Sequence, residues 1–238
     1  MKELRADLHV HTCLSPCGEP EMVPTAIVRK AKQMGLDVIA ICDHNSAENV
    51  RAVVQAGRRE RLPTIPGMEI TSREEVHILG LFSDQDQLQR LQDLVYAHLA
   101  GENEEDVFGP QTVVDEYDNV LGTTAKLLIG ATSFTLDETV DAIHDCGGLA
   151  IASHIDRERF GLIGQLGFIP EGLPLDAVEV SPHCSVNTWN HFPVVRFSDA
   201  HALDQIGSSA TCFLLEEATT EEIAKALTND DGRTIVSW

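Results

Sequence analysis

Short apolar runs alternate with amphipathic stretches along most of the chain, and this alternation limits the possible folds more than any other feature. The short runs are rich in β-branched residues and predict strands, whereas the longer stretches repeat their apolar positions with a helical period. Strands that alternate with helices favour βα units around a parallel sheet. We therefore predict an α/β protein with strands near 5–10, 37–42, 64–69, 76–82, 148–153, 176–181, 194–198 and 208–214, and helices near 24–34, 47–60, 85–100, 136–146 and 220–228.

Several helix starts carry their own sequence signals. Pro24 suits the first turn of a helix, where its missing amide proton costs no hydrogen bond. Thr135 with Glu138, and Thr219 with Glu222, have the spacing of a capping box, in which each side chain accepts from the other residue's amide. These signals predict helices that begin close to residues 24, 135 and 219.

The alternation is interrupted between residues 101 and 130, where an acidic run leads into a stretch with high strand propensity. We predict a hairpin inserted in the βα series, with its turn near Tyr117-Asp118-Asn119. The length of 238 residues suits one large domain. We therefore predict a single domain over 1–238, with the 101–130 insertion as an appendage to it.

The charge balance is strongly acidic. Lysine and arginine number 17 against 38 aspartates and glutamates, which gives a formal net charge of −21. Such a chain repels polyanions and lacks the broad basic patch of non-specific nucleic-acid binders. We therefore expect a small phosphorylated substrate rather than extended nucleic acid, with local positive charge supplied by a bound metal.

The sequence gives no sign of a membrane partner. No run approaches the roughly 18 apolar residues of a membrane helix, and residues 1–7 contain no apolar signal-peptide core. The six cysteines are too sparse for a disulfide scaffold and are interpreted as buried thiols or metal ligands. We expect a cytoplasmic protein, and the sequence carries no signal for an oligomeric state.

Histidine and carboxylate side chains recur at the ends of the predicted strands. Six of the ten histidines follow this placement rule, which unrelated polar residues would not be expected to do. Because the carboxyl ends of barrel strands meet on one face, these side chains should converge. Imidazole with carboxylate suits Zn, Mn or Fe better than Ca or Mg. The residues in question are His9, His11, His44, Glu69, His77, His154, Asp199 and His201.

At this point the motifs together resemble the PHP (polymerase and histidinol phosphatase) superfamily of metal-dependent phosphoesterases. The resemblance implies a distorted TIM-like barrel, usually of seven βα units, with two or three divalent transition metal ions at its carboxyl rim. The matching segments follow in family order: Asp7-Leu8-His9-Val10-His11-Thr12, Asp43-His44-Asn45, Gly67-Met68-Glu69-Ile70, Val76-His77-Ile78-Leu79-Gly80, Ser153-His154 and Ser198-Asp199-Ala200-His201.

The resemblance also implies an assignment of ligands to three metal sites. The first site would use His9, His11, Glu69 and Asp199, the second would use Glu69, His77 and His154 with Glu69 as the bridge, and the third would use His44 and His201. Family members often add an Asp seven, or a His eight, residues after the first histidine, where this chain has Pro16 and Cys17. Cys17 is either a thiolate ligand of the third site or a buried thiol.

The implied activity is hydrolysis of a phosphate ester by metal-activated water, on a small phosphorylated metabolite, a nucleotide or a short oligonucleotide. Glu69, His201 and Arg157 are the candidate catalytic residues. His201 would stabilise the leaving oxygen if the third ion is absent. Arg157 either grips a substrate phosphate or forms an ion pair with Asp156 or Glu158. The alternative is a non-catalytic metal-binding PHP module with a regulatory or structural role.

Two further carboxylates and one loop complete the set of candidates. Asp43 is expected to orient a ligand histidine rather than to bind metal itself, and Glu179 is either a similar partner or an ordinary strand-end carboxylate. The loop 181–191 should shape the mouth of the pocket, where His183 and His191 are either substrate contacts or simply solvated.

Overall fold

The computed structural model describes residues 1–182, 184, 189 and 191–237. All eight strands and all five helices predicted from the alternation are present. The strands are β1 Lys2–Val10, β2 Val38–Ile41, β3 Thr64–Thr71, β4 His77–Leu81, β5 Thr112–Val114, β6 Val120–Thr123, β7 Leu149–Ala152, β8 Ala177–Glu179, β9 Val194–Val195, β10 Thr211–Leu215 and β11 Thr234–Ser237. The helices are α1 Pro24–Gln33, α2 Val50–Glu60, α3 Gln85–His98, α4 Glu105–Phe108, α5 Leu136–Asp145, α6 Leu162–Leu166 and α7 Thr220–Thr228.

Nine of these strands form one curled sheet in the order β11-β10-β1-β2-β3-β4-β7-β8-β9. The sheet curls back on itself at one end, where a parallel bridge joins Val10 to Ala200 beyond the end of β9. The architecture is therefore a mixed α/β half-barrel, in keeping with the TIM-like fold expected from the sequence.

The sheet departs from a regular parallel barrel at β4, which pairs antiparallel with both β3 and β7. Only residues 72–76 connect β3 to β4, and a connection this short can join antiparallel neighbours but not parallel ones. The first residue of β4, His77, lies beside the last residue of β3, Thr71, at the carboxyl end of the barrel.

Apolar side chains alternate between the two faces of the sheet. On β2, Ile39 and Ile41 pack with the helices α1, α2, α3 and α5, whereas Val38 and Ala40 belong to a second core cluster that includes residues of α7. Leu8 of β1 lies in this second cluster and is fully buried. The helices thus cover one face while α7 covers part of the other, which leaves the carboxyl end of the sheet open for polar side chains.

The predicted helix starts differ in how completely they are capped. Pro24 begins α1, and at α5 both hydrogen bonds of the capping box between Thr135 and Glu138 are formed. At α7 the Thr219 hydroxyl accepts from the Glu222 amide, but the Glu222 carboxylate binds the buried Arg233 guanidinium instead of completing the box. A charge-assisted partner is stronger than a backbone amide, which explains the exchange.

The 101–130 segment contains α4 and the two-stranded antiparallel sheet β5–β6. Asn49, at the start of α2, donates to the carbonyl of Thr112, and Asn45 donates to the carbonyl of Leu128. The segment is thereby tied to the loop that follows β2 and stands beside the carboxyl end of the sheet. Among the described helices, none has the length and apolar character needed to cross a bilayer.

Candidate metal centre

The chain delivers its polar residues to one end of the half-barrel. His9 lies on β1, Glu69 on β3 and His77 at the start of β4, while the other members of the set lie just beyond the strands that precede them. Because β4 runs antiparallel, its first residue reaches the same end as the last residues of the parallel strands. The residues predicted from the sequence that meet there are His9, His11, His44, Glu69, His77, His154, Asp199 and His201.

Glu69 is the centre of this cluster and is fully buried. Its Oε1 lies 3.3 Å from His9 Nε2, 3.1 Å from His77 Nδ1 and 3.4 Å from His154 Nε2. Its Oε2 lies 3.0 Å from His44 Nδ1 and 3.4 Å from His11 Nε2. Within the described residues neither oxygen has a partner in good hydrogen-bond geometry, and neither do His44 Nδ1 and His77 Nδ1.

The short distances and the missing hydrogen bonds have a common physical explanation. Buried polar atoms nearly always find hydrogen bonds, because leaving one unpaired costs about 1–3 kcal/mol. Lone pairs of carboxylate and imidazole that face a common point rather than each other are satisfied by a cation at that point. The donor set therefore fits metal ions.

Among the described residues, three groups of side chains have ligand atoms close enough to share an ion. The first group, His9, His11, Glu69 and Asp199, is the set expected for the first site, and the second is His44, Glu69 and His77. The third group joins His11, His44 and His201. Within each group the ligand atoms lie within 4.8 Å of one another. His44 therefore stands between the second and third sites, whereas the sequence placed it only in the third.

The protonation states favour ligation. Burial raises the pKa of Glu69, but the charges of His77, His9 and His44 outweigh this effect and hold the pKa well below its usual range. For Asp199 the proximity of His9 likewise overcomes burial and lowers the pKa. Burial lowers the pKa of His77 to about 4. Near neutral pH the two carboxylates are therefore anionic, the form that binds metal, whereas the neighbouring carboxylates overcome burial and raise the pKa of His9 and His44, so that an ion at the centre would displace a proton from each.

The histidines of β1 are oriented from behind by other side chains. Glu179 Oε2 lies 2.9 Å from His9 Nδ1, so Glu179 is a hydrogen-bond partner of that histidine. Ser15 Oγ lies 3.0 Å from His11 Nδ1 and donates to Asp43 Oδ1 at 2.7 Å. Asp43 thus acts on His11 through Ser15, a residue that the sequence analysis missed because no motif marks a serine four residues beyond a histidine.

Left-handed backbone conformations occur at three residues in or beside the same cluster. Asn45, His154 and Asp199 all have left-handed conformations, with φ of 50°, 28° and 50°. Each such residue costs on the order of 1–3 kcal/mol and persists only where the surrounding structure enforces it. Such conformations also occur at turns elsewhere in the chain, but at His154 and Asp199 they fall on side chains of the cluster itself.

Arg157 forms an ion pair with Asp199 rather than with Asp156 or Glu158. Its Nη1 donates to Asp199 Oδ2 at 2.5 Å, and its side chain is 39% exposed. Asp156 accepts from the backbone amide of Ser181, and no ion pair of Arg157 with Asp156 or Glu158 is formed in the described part of the chain. The guanidinium therefore lies at the edge of the cluster.

Cys17 lies near the third group, but its Sγ is not one of the atoms of that group. Burial raises the pKa of its thiol, but hydrogen bonds from His201 and His44 outweigh this effect and lower the pKa to about 6. A close approach of Gly18 to the carbonyl of Thr12 shapes this turn, because a Cβ at Gly18 would lie 2.3 Å from that oxygen. The residue as a whole is exposed, so Cys17 is not the fully buried thiol considered from the sequence, although its sulfur is partly shielded by its neighbours.

The loop beyond β8 contributes less than expected. His191 lies against the ring of Phe192, with centroids 4.3 Å apart, and is exposed. His183 falls outside the described residues.

A mixed α/β half-barrel that gathers buried histidines and carboxylates around one glutamate has the side chains to bind several metal ions. The particular family follows from comparison with known sequences, since the PHP domain model matches residues 7–159. The chain belongs to the PHP domain family.

Two curated relatives are similar to the chain in sequence. The uncharacterized protein YqxK of Bacillus subtilis is 25% identical over 264 residues, which cover 100% of this chain and 65% of that protein. The 5'-3' exoribonuclease Rnm of Salmonella typhimurium is 26% identical over 202 residues, covering 63% of this chain and 65% of the relative. The chain thus spans slightly less than two thirds of the length of these relatives.

A solved structure shares the fold. Endonuclease Q, known from Pyrococcus furiosus, in complex with a 27-mer duplex substrate that carries an abasic lesion at the active site, has a TM-score of 0.76 and 17% sequence identity. The match covers 98% of this chain and 58% of the endonuclease.

These comparisons overturn the expectation that extended nucleic acid is not a partner of this type of chain. A protein of the same fold holds a DNA duplex, and a relative is an exoribonuclease. The expectation was wrong because it treated the formal charge of −21 as if it were spread evenly. The local field at the binding surface decides whether a phosphate is attracted there.

Proposed function

We propose that the chain is a metal-dependent phosphoric ester hydrolase that cleaves phosphodiester bonds of nucleic acid. The observation that carries the proposal is the set of five imidazoles around the two unpartnered oxygens of Glu69. The nuclease names of Rnm and endonuclease Q support the substrate class.

The ligand set assigns residues to ions of Zn, Mn or Fe. His9, His11, Glu69 and Asp199 would hold the first, and Glu69 with His44, His77 and His154 would hold the second. Divalent ions at such a centre polarise phosphoryl oxygens and lower the pKa of water. His44, His201 and Cys17 would hold a third ion, for which a thiolate favours Zn or Fe over Mn. With that ion bound, His201 is a ligand and not a free proton donor.

The chain's own residues bind and orient the substrate. Arg157 presents a planar guanidinium that matches two oxygens of a phosphate, and its contact with Asp199 places it beside the ligands. When Arg157 binds a substrate phosphate in place of Asp199, the Asp199 carboxylate would be free to bind the metal ion. Glu179 and Ser15 keep the rings of His9 and His11 in the orientation that ligation needs.

The test is hydrolysis of short oligonucleotides by protein reconstituted with Mn or Zn. RNA and DNA strands with either a 5' phosphate or a 5' hydroxyl are supplied, and the products are resolved by length. We expect cleavage that is lost on metal removal and in Glu69→Gln, whose neutral amide no longer attracts two cations. Glu217→Gln serves as the matched control, because Glu217 is exposed and distant from the centre in sequence.

Full metal occupancy without cleavage of any strand would refute the proposal. In that case hydrolysis of a chromogenic phosphomonoester distinguishes an enzyme for small phosphorylated substrates from a non-catalytic metal-binding module.

A further inference from the structure

The loop between β7 and α6 is compact and rigid. A Cβ on Gly161 would lie 2.4 Å from the carbonyl oxygen of Arg157, and a Cβ on Gly164 would lie 2.3 Å from the same atom. The amide of Ile163 donates to the carbonyl of Ile155, which closes the loop on itself. The backbone of this loop is therefore closely packed, and this packing fixes where its side chains begin.

Phe160 is the aromatic residue of that loop and lies against the metal centre. Its backbone has a left-handed conformation, with φ of 60°. Its carbonyl accepts from the amide of His77, and its ring stacks on the His77 imidazole with centroids 4.5 Å apart and planes 14° apart. A strained, doubly held aromatic residue is unusual for a packing role alone, since an apolar contact does not require this conformation.

Burial separates the two rings. His77 is 6% exposed, whereas Phe160 is half-buried, so that part of the phenyl ring stays accessible beside the centre. The same loop carries Arg157, whose half-exposed guanidinium pairs with Asp199. One rigid loop thus presents a phosphate-binding group and an aromatic surface next to the ligands. A nucleotide has the matching pair of features, a phosphate and a flat base.

We propose that Phe160 stacks on a nucleobase next to the phosphate that Arg157 binds, and so makes this loop the nucleotide-binding subsite of the centre. The inference rests on the proposed function and adds which part of the substrate is recognised. Every base has a π-face, so stacking of this kind tolerates any sequence. The loop would therefore select nucleotides over other phosphate esters without selecting among the four bases.

The first experiment measures binding without turnover. A short single strand with phosphorothioate linkages carries 2-aminopurine at one position at a time, and its fluorescence is followed on addition of metal-loaded protein. Stacking on Phe160 quenches the probe at one position. Phe160→Leu should abolish that quenching and weaken binding by roughly 5- to 150-fold, whereas Phe160→Trp should retain both. Both replacements keep the backbone strain, because each has a Cβ.

The second experiment separates stacking from support of His77. Cleavage is compared between a normal strand and one that lacks the base next to the cleaved bond. Phe160→Leu should lower kcat/KM for the normal strand by roughly the same 5- to 150-fold and leave the abasic strand and the metal content unchanged. Equal losses on both strands, or loss of metal, would show that Phe160 only supports His77 and would overturn the inference.

The outcomes also distinguish this inference from the proposed function. Quenching that depends on Phe160, in a protein that cleaves no strand, would refute the nuclease activity and leave the subsite in place. Cleavage and binding that are both insensitive to Phe160→Leu would refute the subsite alone. A metal-loaded protein that neither binds nor cleaves the strands would refute both.

Discussion

Replacing Ser15 by alanine should weaken metal binding while leaving every ligand in the chain. Ser15 Oγ contacts His11 Nδ1 at 3.0 Å, donates to Asp43 Oδ1 at 2.7 Å and accepts from the His44 amide at 3.2 Å. The Asp43 carboxylate keeps two other donors, the amide and hydroxyl of Thr12. The loss therefore falls mainly on His11, whose ring loses the group that sets its orientation, and on the backbone amide of His44, which loses its acceptor.

The magnitude follows from these contacts. A buried group left without its partner costs about 1–3 kcal/mol of stability, and removal of a partner behind a ligand lowers metal affinity roughly 10- to 100-fold. The assay is competition with a chelator for Zn, together with urea unfolding of the metal-free protein. We expect Ser15→Ala to bind Zn roughly 10- to 100-fold more weakly than the wild type and still to unfold in one cooperative transition.

Ser153 supplies a matched control for this prediction. It is fully buried and directly precedes His154, yet its hydroxyl has no hydrogen-bond partner within the described residues. Ser153→Ala should therefore be close to neutral in both assays. Equal effects of the two substitutions, or wild-type Zn affinity in Ser15→Ala, would refute the argument that the Asp43–Ser15 pair orients His11.

Three further changes test the scaffold by urea unfolding. Leu8→Ala should cost about 2–5 kcal/mol, because Leu8 is fully buried in the core cluster that includes α7, and a cost below 1 kcal/mol would contradict that packing. Thr135→Ala should cost about 1 kcal/mol, because it removes the capping box with Glu138, and Thr135→Ser should restore most of it. The hydrogen bond to Asp176 raises the pKa of His144. The pair therefore contributes fully to the free energy of unfolding below pH 6.5, and this contribution is lost as the pH rises through the raised pKa. The difference between wild type and His144→Gln should therefore shrink between pH 6 and pH 9, from at most about 1 kcal/mol because the pair is partly exposed, and a difference that grows with pH would contradict this assignment.

The periodic part of the sequence predicted the structure well because it reports a local property. Strand and helix periods depend on which residues face the core, and each predicted strand and helix is present. The direction of β4 was not predictable from period alone. It follows from the connection 72–76, which is too short to join parallel neighbours. The alternation of apolar runs does not take the length of a connection into account.

The candidate site likewise contains residues that the sequence predicted and residues that it did not. His9, His11 and Asp199 were found because their residue types and strand-end positions are visible in the sequence. Ser15 and Phe160 were missed because loop geometry alone places them, Ser15 beside His11 and Phe160 against His77. A serine and a phenylalanine are common residues, and neither type signals a role until its neighbours in space are known.

Net charge was the weakest guide to the substrate, and the structure explains why. Most acidic side chains lie away from the centre, where solvent and salt screen them over about 10 Å. At the centre only Glu69 and Asp199 of the proposed ligands carry negative charge, and Arg157 already offsets part of it. Two divalent ions would outweigh these carboxylates and turn a polyanion-repelling chain into one with a local anion site. If the proposed function is correct, the acidic surface would restrict nucleic acid to the open end of the half-barrel, and raising the ionic strength should weaken binding at the centre less than it relieves repulsion elsewhere.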